Sequence, residues 1–138
     1  MVKKQPEPEV KKEDNRLGAA SLILRIGLGL VFLVSGFFKL VMAETFATFM
    51  DSLQIIPVSG FIFSYALGIV ELALGVLLFI GFFTRIVAII TAGLLVIFLV
   101  VVMIFMDQSP INVALIAMAV TIAYLGPGNL AVDNMLKS

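Results

Sequence analysis

SGFIFSYALGIVELALGVLLFIG, residues 59–81, is an apolar run with a single charged side chain, Glu71, and glycine near either end. A helix rises 1.5 Å per residue, and the hydrocarbon core of a bilayer takes about 20 residues to cross. The run is long enough to do so, and it reads as a transmembrane helix. Working outward, residues 17–41 form a second such run, and residues 86–106 a third that holds no charge. A fourth, residues 110–126, opens on Pro110 and stops at Gly126-Pro127-Gly128. Proline suits the first helical position and Gly-Pro-Gly cannot continue a helix. This last run is short, and it crosses only if it stands upright or the bilayer thins around it. The expectation is an all-α membrane protein with four transmembrane helices in an antiparallel bundle.

Composition agrees. The chain is 62% hydrophobic and 13% charged, with mean hydropathy +1.19. A soluble domain carries about 25% charged residues, so lipid must solvate much of this surface. Residues 1–16, MVKKQPEPEVKKEDNR, are polar and contain proline, and they read as a disordered tail preceding a membrane domain over residues 17–138. The first apolar run is longer than the 7–15-residue core of a secretory signal and reads as an uncleaved span.

Orientation follows from the basic residues in short loops. Lys3, Lys4, Lys11, Lys12 and Arg16 precede span one, Arg85 lies between spans two and three, and Lys137 follows span four. These are seven of the nine basic residues, and an N-in, C-in chain puts all seven on the cytoplasmic side. Arg85 is read as a topology determinant. The bias disfavours dual topology.

Arg25 and Glu71 lie within spans, where a charge costs ~2.5–3.5 kcal/mol near the bilayer centre and normally faces protein. At ~100° per residue, Arg25, Gly29, Phe32, Gly36 and Lys39 fall within roughly 80° of one another. Ser64, Gly68, Glu71 and Gly75 make a similar stripe on the next span. Small residues let membrane helices approach closely, so these are the inward faces. Arg25 and Glu71 differ in depth by roughly 7 Å at 1.5 Å per residue, within reach of an extended arginine. An Arg25–Glu71 ion pair is the expectation, with snorkelling of Arg25 to the cytoplasmic headgroups as the alternative. Lys39, at the far end of its span, is expected to snorkel to the outer headgroups. Residues 45–60, TFATFMDSLQIIPVSG, are amphipathic and read as a partner contact or a re-entrant cap.

The chain has no Cys, no His and no Trp. Iron–sulfur clusters need Cys and most b-type haems need His, so an electron carrier is a poor reading. No hydroxyl can be activated by an imidazole. Nucleotide loops and zinc motifs are missing, and Gly27-Leu28-Gly29 sits inside a span. A net charge of zero gives no reason to expect nucleic acid. No catalytic residue and no metal ligand set is expected.

Three segments resemble the DoxX family of small prokaryotic membrane proteins. They are LRIGLGLVFLVSGFFKL (24–40), GIVELALGVLLFIGFFTRIVAI (68–89) and GPGNLAVD (126–133). The family pattern falls on Arg25, Gly36, Lys39, Glu71, Gly75, Gly81, Arg85, Gly126, Gly128 and Asp133. Asn129-Leu130 stands where many relatives have Arg-Tyr. The resemblance implies a four-span bundle in a prokaryotic plasma (inner) membrane. It also implies a non-catalytic subunit or scaffold of a membrane oxidoreductase, near the quinone pool, with oxidoreductase subunits and lipid as partners. A quinone is the one cofactor it brings into view. Two other readings stay open: a small ion-coupled transporter using Glu71, and a membrane interaction or chaperone protein. The candidate polar residues are Arg25, Lys39, Glu71 and Arg85.

Overall fold

The computed structural model describes residues 9–54, 57–105, 110–128 and 131–135. Six helices follow one another: α1 Glu9–Val41, α2 Ala43–Leu53, α3 Gly60–Ile80, α4 Thr84–Phe105, α5 Pro110–Leu125 and α6 Val132–Met135. No strand occurs among the described residues. Three helical stretches are long and apolar enough to cross a membrane: Asn15–Val41, Gly60–Ile80 and Thr84–Val101. Ile111–Leu125 is apolar but shorter. The chain is a multi-pass, all-helical membrane protein.

The helices differ from the sequence reading in two places. Residues 9–16, expected in a disordered tail, belong to α1. Glu9, Lys11, Lys12 and Glu13 are good helix formers, and extending an existing helix avoids the nucleation that an isolated one must bear. The rest of the expected tail, residues 1–8, lies outside the described residues. The second difference is α2, an 11-residue helix that overlaps the first part of the segment read as a cap or contact. It buries Ala43, Ala47 and Met50 and leaves Glu44, Thr45 and Thr48 exposed. A Cβ built on Gly60 would run into the Ala47 backbone, so only glycine lets α3 begin this close beneath α2.

α1 packs most extensively on α3, and α4 on α5. Gly29 and Gly36 of α1 lie against Gly75 and Gly68 of α3. A Cβ on Gly36 would sit 2.7 Å from the Gly68 carbonyl oxygen, and one on Gly75 would sit 2.9 Å from the Leu33 nitrogen. The absence of side chains thus sets how near the two backbones come. Around this seam a core forms from Leu28, Phe32, Leu74, Leu78, Val87, Leu95 and Ile122. The outer surface carries Ile23, Ile69, Ile97 and Ile111, each well exposed. Apolar side chains face both inward and outward, as a lipid-solvated bundle requires.

Candidate functional site

Two polar layers cross the bundle, one toward each end. The layer beneath α2 is built on Lys39 and Glu71. Lys39 Nζ donates to Glu71 Oε2 at 2.8 Å, to Oε1 at 3.0 Å and to Ser35 Oγ at 2.7 Å. The side chains are 12% and 5% exposed, so the pair is withdrawn from solvent and lipid alike. Ser64 Oγ donates to the Lys39 carbonyl at 2.8 Å, which ties α3 to the end of α1. The rings of Phe46 in α2 and Phe98 in α4 lie 5.2 and 5.5 Å from the ammonium. These distances suit a cation–π contact. A cavity of about 150 Å³ adjoins the pair, bounded by Phe32, Phe98, Leu115 and Asn112.

The expected Arg25–Glu71 pair does not form, and Lys39 does not snorkel outward. Depth along the axis misled both readings. Every Cα–Cβ bond leans toward its own helix N-terminus. Because α1 and α3 run antiparallel, Lys39 leans down the bundle and Glu71 leans up it, so the two meet. Arg25 leans the opposite way from Glu71.

Arg25 anchors the second layer. It is 1% exposed, and its Nη1 donates to the Pro127 carbonyl. The Asp133 carboxylate is near enough to act on its charge. Gly81, at φ +75°, packs directly on the guanidinium, where any side chain would collide. Ser21 Oγ donates to the Gly126 carbonyl at 2.5 Å. Asp133 accepts from the Phe83 and Thr84 amides at 2.7 and 2.8 Å, and so caps the start of α4 from a distant part of the chain. Its own amide donates to the Gly81 carbonyl at 3.2 Å. The middle of α1 at Ser21 and Arg25, the α3–α4 turn and the segment after α5 are thereby fastened together. Arg85 is exposed beside Gly126 and enters neither layer.

Of the four candidates, the structure brings Lys39 and Glu71 together, places Arg25 at the opposite end and leaves Arg85 on the surface. Phe46 and Phe98 were missed, because nothing local tells them from the chain's other phenylalanines; Asn112 had a usable signal, a polar amide inside an apolar helix. Ser35 had a usable signal, lying one helical turn before Lys39 on the same face.

Residues 17–113 match the family model described as methylamine utilisation protein MauE. The chain belongs to the MauE family. This overturns the resemblance to DoxX, since the matched family is a different one and covers both long segments on which that resemblance was drawn. Those segments share small-residue stripes, which close packing favours in membrane bundles generally, and buried charges, which face the bundle interior wherever they occur. The quinone expectation rested on that resemblance alone. No curated protein and no solved structure matches the chain. Within this MauE-family chain the matched region holds Lys39, Glu71, Ser35, Phe46 and Phe98, while residues 126–133 lie beyond it.

Proposed function

We propose that this chain is a non-catalytic membrane component of a methylamine utilisation system, serving as subunit or scaffold for oxidoreductase partners. Its four apolar helices all cross the plasma membrane of a prokaryotic cell, with both termini in the cytoplasm. The family's description supplies the system. Drawing on methylamine means oxidising its carbon, and a chain without Cys or His has little to hold a redox centre. The observation that carries the scaffold reading is the saturation of the Lys39–Glu71 pair. Both carboxylate oxygens and the ammonium are consumed in holding α1, α3 and Ser35 together. A group so engaged supports architecture in preference to turnover.

The test is gentle purification of the tagged chain from native membranes of cells grown on methylamine. Oxidoreductase subunits in stoichiometric amount are the expected finding. Amine oxidation by the purified chain alone would overturn the reading. Transport is a second reading, favoured by the cavity beside Glu71. It requires uptake into proteoliposomes that Glu71→Gln abolishes.

A further inference from the structure

The ammonium of Lys39 sits in a complete recognition site for a CH2–NH3+ group. A primary ammonium has three N–H donors and no acceptor. Here the acceptors are Glu71 Oε1, Glu71 Oε2 and Ser35 Oγ, at 3.0, 2.8 and 2.7 Å. Two aromatic rings flank the cation, Phe46 from α2 and Phe98 from α4. Carboxylate, hydroxyl and aromatic faces together are the chemistry that distinguishes an organic ammonium from a metal cation. A buried lysine needs a counter-charge, but it does not need two rings or a void beside it. The void is there, about 150 Å³ against the pair. The Asn112 side chain on its wall makes no hydrogen bond among the described residues.

We propose that this cage binds small primary alkylammonium ions, with Lys39 as its resident and exchangeable occupant. Lys39 lies two residues before the end of α1 at Val41, so its four-carbon stem can swing out to the headgroup level. An alkylammonium ion that enters by way of the cavity takes over the same acceptors and the same rings. Glu71 stays neutralised in both states, and the lysine charge moves from the bundle to the interface. Exchange therefore avoids the large cost of leaving a buried carboxylate unpaired. Phe46, carried on α2, roofs the site from the end at which Lys39 would leave. This inference concerns binding alone and needs no oxidoreductase partner; it differs from the scaffold reading in requiring that the Lys39–Glu71 pair open.

The experiment is equilibrium dialysis of radiolabelled methylammonium against the full-length protein in lipid nanodiscs at constant ionic strength. Wild type should bind saturably, with competition by ethylammonium and none by tetramethylammonium, which has no N–H donor. Lys39→Met removes the resident competitor and should bind about tenfold more tightly. Phe98→Leu keeps the ion pair and should bind about fivefold more weakly, the loss of one cation–π contact. Glu71→Gln should not bind, and monodispersity with a helical circular dichroism spectrum shows whether it is folded. The same check applies to Lys39→Met, which leaves Glu71 without its counter-charge; should either variant fail to fold, wild type and Phe98→Leu still decide. Saturable binding to Lys39→Met but not to wild type would overturn the proposal, because Lys39 would then be a permanent occupant. So would absence of binding to both, or tetramethylammonium competing as well as ethylammonium.

Discussion

Glu71 and Lys39 carry opposite charges into an apolar bundle, and each is tolerable only because of the other. Removing one partner of a buried pair typically costs about 3–5 kcal/mol, since the remaining charge loses its compensation. Glu71→Leu alone should destabilise the protein by that order. The double replacement Lys39→Leu with Glu71→Leu should recover most of the loss. Unfolding in mild detergent titrated with a denaturing one, followed by circular dichroism, checks both. Double-mutant damage equal to the sum of the single changes would rule out a pair. The faces that hold these residues were legible from angular spacing, because glycines and charges share one stripe on each helix. The identity of the partner was not, because depth was judged at Cα, and a long side chain meets its partner where its lean takes it.

At the scale of elements, the antiparallel α1–α3 seam depends on what is missing from it. Gly36→Val should force the helices apart, because even a Cβ there would lie 2.7 Å from the Gly68 carbonyl oxygen. Overpacking of this kind costs about 1–3 kcal/mol. Gly93→Ala is the matched control, since nothing lies within 4 Å of a Cβ built there. It should leave the midpoint of the same detergent titration unchanged or raise it, because alanine is the better helix former. The start of α4 gives a second case. Asp133→Ala removes the acceptor of two amides and should cost about 1 kcal/mol, the usual worth of a cap. Hydrogen exchange should then quicken at Phe83 and Thr84 before it does in the middle of α4. The spans were readable because a run of about 20 apolar residues matches the thickness of the hydrocarbon core and suits little else. α2 was not, since 11 residues of mixed polarity fit a loop or cap as well as a helix. The Asp133 cap was hidden by distance along the chain: it joins residues 49 and 50 positions apart.

For the whole molecule, the layer at Arg25 turns sidedness into one question. Ser21 on α1, Gly81 and Thr84 at the α3–α4 turn, and the segment from Gly126 to Asp133 are held together. These three regions must therefore face the same aqueous phase. They are flanked by seven of the nine basic residues, and basic flanks stay on the cytoplasmic side. α2 lies at the other end, so it and the Lys39 site should face outward. The chain has no cysteine of its own, which makes single-cysteine variants clean reporters. Ser52→Cys, exposed on α2, should react with a membrane-impermeant maleimide on intact cells. Gln5→Cys and Ser138→Cys should react only after permeabilisation. If Ser138→Cys reacts from outside while Gln5→Cys does not, an odd number of spans separates the termini and α5 does not cross. That outcome would contradict the hydrogen bonds that fasten the segment after α5 to Ser21 and Arg25 of α1. If Gln5→Cys and Ser138→Cys react from outside and Ser52→Cys does not, the bundle is inverted, and Lys39 would then exchange with the cytoplasm. The labelling pattern thus fixes from which side an alkylammonium ion could reach Glu71.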